Sequence, residues 1–292
     1  MRNYFYRFLS YLSKKTWPWV FVVFARIVSA GYFFLLPLRV SNGVGFYRVL
    51  YPQANWFYHV WCVWCQFQNF TDVFFDRFML QEFGDIHYTS RGIEGLREAL
   101  EEKRGAVLLM SHMGNWEMAA HLLRRKYPEM QLLLYMGIKD KEQIEGLQKE
   151  SLAKSGIRII AVDTSGGSPL DIVDGIQFVR SGGVVSMAGD IIWRKDQRSI
   201  AVNFLGHDVR LPEAPHLFAL LSGAPIFVFF AFRTGEKQYH ITLSEPLRVE
   251  AASRSERPDA IRASAQRYAD MLEETVRRHP LQWYHFKPFL KR

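Results

Sequence analysis

The sequence predicts an α/β protein: a single domain with a mostly parallel mixed sheet covered by helices, preceded by N-terminal membrane-associated helices. Three observations predict it. Short continuous apolar runs such as "AVLLMS" (106–111) and "PIFVFFAF" (225–232) have the length and composition of strands buried on both faces. Stretches with helical spacing lie between those runs, which is the alternation of a parallel, covered sheet. Finally, the segment from Met1 to Thr71 carries seven of the 37 basic residues and none of the 29 acidic ones, and five of the eight tryptophans fall in the first 64 residues. A basic, aromatic, acid-free segment is what an anionic bilayer surface attracts. Nucleic acid is not expected as a partner, because the basic residues are interleaved with long apolar runs and do not cluster on a polar face. The chain has 292 residues, 49% of them hydrophobic, enough for one sizeable core.

The elements follow in order. Residues 1–41 form a basic, aromatic segment, and 42–292 the α/β domain. "TWPWVFVVFARIVSAGYFFLLPLRV" is broken by Arg26, and its longest charge-free piece, Ile27–Leu38, is 12 residues. That is short of the roughly 20 a clean span needs. A transmembrane helix, an interfacial helix and a buried core helix all remain open. Residues 43–83 read as aromatic-rich helices. Within them Cys62 and Cys65 form a C-x-x-C; with no second pair and no redox-like surroundings, it reads as two small residues on a helix turn. "GIEGLREALEEKRG" places Ile93, Leu96 and Leu100 at helical spacing before a glycine stop. "NWEMAAHLLRRKYP" is helical, with Asn115 as N-cap and Pro128 as terminator. Further strands are expected at "QLLLYM", "IRIIAV", "GGVVSMAG" and "QYHITLSEPLRV", with helices at 139–155, 169–181 and 212–222. The chain closes on an amphipathic helix in "RPDAIRASAQRYADMLEETVRRHP".

The chemistry centres on "SHMGNWE". In open α/β sheets, active groups gather just beyond the carboxyl ends of strands, and His112 stands there after Ser111. Glu117 lies five residues on, in the first turn of the next helix, so a strand–loop–helix reversal can return its carboxylate to the imidazole. A carboxylate on one ring nitrogen fixes the tautomer, and the other nitrogen can then take a proton from a hydroxyl. A histidine at a strand end can equally be structural. Gly114 allows a tight turn, and the helix start after Asn115 offers N–H groups for an oxyanion. There is no G-x-S-x-G elbow, no HExxH and no Walker A sequence, so neither a protein nucleophile nor a metal is expected. A His–carboxylate pair without a protein nucleophile suits direct attack by a substrate alcohol on an activated acyl group.

"SHMGNWE" resembles the H-x4-D/E motif of the glycerolipid acyltransferase superfamily, and the chain is most similar to its lipid A late acyltransferase branch. The resemblance is carried by an ordered set of blocks: "LPLRVSNGVGFYRVLYP", "GIEGLREALEEKRGAVLLMSHMGNWE", "GGVVSMAGD", "AVNFLGHDVRLPEAPHLFALLSGAPIFVFFAFR" and "HPLQWYHF". It implies His112 as general base and Glu117 as its orienting partner. It implies Asp190 and Arg194 near the acceptor's polar head, with Asp190 supporting the imidazole or binding acceptor, and Gly114 and Asn115 shaping the pocket wall. Two departures bear on head-group recognition. Ile192 stands where the family usually has a second acid, and His285 is followed by Phe286 and Lys287 where it usually has two arginines.

The expected activity is a membrane-associated O-acyltransferase at the cytoplasmic face of a bacterial inner membrane. It would move a fatty acyl group from acyl carrier protein or coenzyme A thioester to a hydroxyl of a lipid or glycolipid acceptor, with no cofactor besides the donor. Thioester or lipid hydrolysis is an alternative, and a non-catalytic membrane-binding module is another.

Overall fold

The computed structural model describes residues 19–83, 86–137, 152–153, 156–162, 169–193 and 196–290. The helix expected over 139–155 lies almost wholly outside the described residues.

Among the described residues three helices come first: α1 (Trp19–Leu35), α2 (Pro37–Leu50) and α3 (Trp56–Phe83). Pro37 disfavours helical backbone at the residue before it, and Leu36 sits at φ −118° and ψ 63°, outside the helical region. The axes of α1 and α2 therefore meet at 88°. No single described helix is long and apolar enough to cross a membrane; the bent pair together passes that test by length and composition. Residue 41 falls inside α2. The buried side chains Phe46, Tyr47 and Leu50 of α2 join the same core as the strands.

The rest alternates strands and helices: β1 (His87–Arg91), α4 (Glu94–Glu101), β2 (Ala106–Met110), α5 (Trp116–Lys126), β3 (Leu132–Gly137), β4 (Arg158–Val162), α6 (Pro169–Arg180), β5 (Val184–Ala188), β6 (Ser199–Phe204), β7 (His207–Pro212), α7 (Ala214–Ser222), β8 (Ile226–Gly235), β9 (Gln238–Leu243) and α8 (Arg257–Arg278). Seven strands form one sheet in the order β1-β9-β8-β2-β5-β3-β4. Its pairings are parallel except for the β8–β9 hairpin, so the expected mostly parallel mixed sheet is observed.

The central strands are buried along their length because both faces are covered. Alternate residues of one strand enter different cores. Val107 and Leu109 of β2 pack on the side of α8 (Ile261, Tyr268, Leu272), while Ala106, Leu108 and Met110 pack on the side of α4 and α5 (Leu96, Met118, Leu122).

Two elements escape the apolar-run reading. β1, "HYTSR", is a half-exposed edge strand with no apolar run. The β6–β7 hairpin stands apart from the main sheet. It turns at Leu205 (φ 53°) and Gly206 (φ 75°), two left-handed residues whose twist suits a tight hairpin.

Candidate active site

β2 and β5 are parallel neighbours, and Met110 pairs with Ala188. Two residues beyond that pair, one strand carries His112 and the other Asp190. The register of the sheet thus sets the two side by side at the carboxyl edge. His112 Nδ1 lies 2.9 Å from Asp190 Oδ1, and the His112 backbone N–H donates to Oδ2 at 2.8 Å. The indole N–H of Trp283 donates to Oδ2 at 3.0 Å. Asp190 is fully enclosed, whereas the His112 side chain remains 27% exposed. Burial alone would raise the Asp190 carboxyl. The charge and hydrogen bond of His112, helped by His285 and the Trp283 donor, outweigh it and hold the group down at about 2. Asp190 is therefore an anion at neutral pH, poised to fix the imidazole tautomer.

The expected pairing of His112 with Glu117 is thereby corrected: the carboxylate on the ring nitrogen is Asp190. Glu117 lies in the first turn of α5 and is buried, and both of its oxygens are held by Arg77 of α3. Arg77 Nε donates to Oε1 at 2.8 Å and Nη2 donates to Oε2. The spacing "H-x4-E" brought Glu117 into the first helical turn, as read, but the guanidinium of a helix 40 residues earlier receives it.

Gly114 and Asn115 are likewise committed inside the protein. Gly114 has φ +68°, and a Cβ there would sit 1.9 Å from the Ala231 carbonyl oxygen, so only glycine fits. Asn115 caps α5 through Oδ1, which accepts from the Met118 N–H at 3.1 Å, and its Nδ2 donates to the Tyr239 hydroxyl at 3.1 Å. That hydroxyl donates to Asp76, which also takes the Arg233 Nε–H at 2.9 Å. The pair therefore builds the turn that presents His112. Arg194 lies outside the described residues.

The chain's last segment closes one side of the site. The Tyr284 N–H donates to the His112 carbonyl at 2.8 Å, and the Gly114 N–H to that of Gln282 at 2.7 Å. His285 stacks on Trp283, and its ring stands edge-on to His112 with centroids 6.0 Å apart. Burial pushes its imidazole down to about 4, so it is neutral. The Trp193 ring centroid lies 6.3 Å from that of His112. Trp283 and Arg77 were invisible as site residues in the sequence. The C-terminal "QWYHF" block carried the only hint of the first, and nothing marked the second.

Among the described residues no group of histidine, cysteine and carboxylate side chains is arranged to hold a metal. The site is built around an imidazole and a buried carboxylate at parallel strand ends, in an α/β fold that begins with aromatic helices.

That class of site leads to a particular family. The family model for bacterial lipid A biosynthesis acyltransferases matches residues 63–292, and the chain belongs to that family. Among curated relatives, the phosphatidylinositol mannoside acyltransferase of Mycolicibacterium smegmatis is 23% identical over an alignment of 207 residues that covers 67% of this chain and 60% of the relative. The chain thus matches about three fifths of that relative's length.

Proposed function

We propose that this protein is a membrane-associated O-acyltransferase that moves a fatty acyl group from an acyl carrier protein or coenzyme A thioester to a hydroxyl of a lipid or glycolipid acceptor. The observation that carries the reading is the His112–Asp190 pair at the sheet's carboxyl edge, in a chain of this family. Nδ1–H donates to the aspartate, which leaves Nε2 as the basic nitrogen. Nε2 takes the acceptor's hydroxyl proton as the oxygen attacks the thioester carbonyl. The carbon–sulfur bond then breaks, and the departing thiolate takes the proton back from the imidazolium. Asp190 stabilises that imidazolium without itself being protonated. Glu117 and Arg77 hold α5 and α3 together, so they act on the reaction only through the placement of His112.

The bilayer is the proposed partner of residues 19–61. Phe34, Leu35 and Leu38 at the α1–α2 bend, together with Trp56, Phe57 and Trp61 at the start of α3, leave most of their apolar surface in solvent. Patches of that kind mark protein or membrane interaction sites. The same exposed aromatic and aliphatic side chains suit a bilayer interface, and the proposed location is the cytoplasmic face of a bacterial inner membrane.

The test is to incubate the purified protein with radiolabelled acyl carrier protein or acyl-coenzyme A and total bacterial lipid. Labelled lipid that disappears with His112→Ala is the expected result. Release of free fatty acid alone would point to hydrolysis. Full transfer by a folded His112→Ala protein would overturn the proposal.

A further inference from the structure

An open cavity of about 580 Å³ lies beside the loop that follows Asp190, lined by Ile192, Gln197, Arg198, Ser199, Arg210 and Glu213. It is close to the chemistry. Ile192 is two residues from Asp190, and its neighbour Trp193 has its ring 6.3 Å from that of His112. Trp193 and Gln197 are tied to each other, since the Trp193 N–H donates to Gln197 Oε1 at 2.9 Å. Two guanidinium groups reach the cavity from different places. Arg198 precedes β6, and Arg210 lies on β7, across the hairpin from Ala201.

The charges do not cancel. Glu213 meets Arg198 Nε at 3.1 Å. Among the described residues Arg210 meets neutral groups, giving Nε–H to Ser199 Oγ at 2.9 Å and an Nη2–H to the Ser199 carbonyl at 3.4 Å. A guanidinium has five N–H donors, so each arginine keeps several for a ligand. The Arg198 side chain is 80% exposed. A lining this polar is unsuited to an acyl chain and suited to an anion. Paired arginines favour oxyanions that accept two N–H groups at once.

We infer that this cavity holds a phosphate-bearing group of one of the two substrates. The inference rests on the acyl-transfer reading above, because that reaction's thioester donors carry phosphate on their pantetheine arm and its glycolipid acceptors can carry a phosphodiester.

The test uses the full chain and the variants Arg198→Gln, Arg210→Gln and their double. Inorganic pyrophosphate is the binding probe, followed by calorimetry. It binds the wild type, binds about tenfold or more weakly to the double variant, and loses affinity as salt is raised. Kinetics then separate the sources. If the donor's phosphate sits here, the double variant raises KM for acyl-coenzyme A but not for the phosphate-free acyl-N-acetylcysteamine. If the acceptor's phosphate sits here, KM rises for phosphatidylinositol but not for a neutral glycosyl diacylglycerol. Equal or absent pyrophosphate binding in wild type and double variant overturns the inference, as does an unchanged KM for all four substrates in protein with His112-dependent turnover. Failure of the wild type to transfer acyl groups strikes instead at the acyl-transfer reading, and pyrophosphate binding still decides the cavity.

Discussion

Two buried carboxylates flank the segment that carries His112, and they are neutralised by different chemistry. Asp190, at the end of β5, faces an imidazole, a backbone N–H and an indole N–H. Glu117, at the start of α5, faces the guanidinium of Arg77. Both are almost wholly shielded from water. Arginine stays protonated at any pH the protein meets, so the Glu117 pair is a fixed clamp between two helices. Histidine can give its proton up, so the Asp190 pair can cycle between states. In the proposed mechanism Asp190 works through its imidazole partner and Glu117 does not, so burial and pairing alone do not separate the two roles; the chemistry of the partner does. The Asp190 cradle also lies at an open strand edge beside a 27% exposed imidazole, while the Arg77–Glu117 seam is closed.

The sharpest way to break this comparison is to remove the imidazole and then each carboxylate charge in turn and read turnover. His112→Ala is expected to lose roughly 10³-fold or more, in the range of general acid–base contributions. Asp190→Asn is expected to lose about 10²-fold or more, because the amide can hold the ring but cannot stabilise the imidazolium. Glu117→Gln, assayed per folded molecule, is expected to stay within about tenfold of wild type, since its role is indirect. If Glu117→Gln proves as damaging as Asp190→Asn in protein of native fold, the assignment of roles is reversed.

Stability should rank the two residues the other way. Glu117→Gln leaves the Arg77 charge buried without its partner, which typically costs about 3–5 kcal/mol. Chemical denaturation of Glu117→Gln is the measurement. Replacing both partners with apolar residues, as in Arg77→Met with Glu117→Leu, should recover most of that loss, because the desolvation of two charges disappears with them. A double variant as unstable as the single one would mean that the seam depends on its ion pair and not on filled volume.

How far the sequence revealed this arrangement depends on the range of each interaction. The buried strands β2, β5 and β8 were legible from their apolar runs, and so was the position of His112 just past one of them. Asn115 as a helix cap was legible because capping is local, and Asn115 does accept from Met118. The partner of His112 was not readable from local pattern; the family resemblance alone offered Asp190, as a support of the imidazole or a contact of the acceptor, and the first of these is the one observed. Asp190 lies 78 residues away and meets His112 through the parallel register of β2 on β5, which no local pattern encodes. Glu117, five residues away, was the nearer carboxylate and the wrong one. Arg77 was hidden for the same reason, being a cation in an aromatic helix 40 residues upstream. The β6–β7 hairpin did leave a signal, since Ile200, Val202 and Phe204 alternate before the "LG" turn and Val209 and Leu211 alternate after it. That period-two pattern was weaker than the continuous runs around it.

The smallest expected effect tests why Asp190 is held as an anion. Trp283 supplies one of its three N–H donors and also packs against Phe46, Phe204 and Phe289. Trp283→Phe keeps an aromatic ring and deletes the donor. A hydrogen bond to a charged group is worth about 1.5–3 kcal/mol, but the smaller ring also loosens packing. The two causes separate by making the change in both wild type and Asp190→Asn and taking the difference, which isolates the coupling between indole and carboxylate. The pH dependence gives the sign. Asp190 titrates at about 2 in the fold against an ordinary 3.8. Its stabilisation is therefore complete above the ordinary value and disappears as pH falls toward about 2. Trp283→Phe moves the folded value upward, so its acid unfolding should begin at higher pH than the wild type's, and in the Asp190→Asn background that displacement should vanish. A displacement of equal size in both backgrounds would assign the effect to packing and leave the charge of Asp190 to the two histidines.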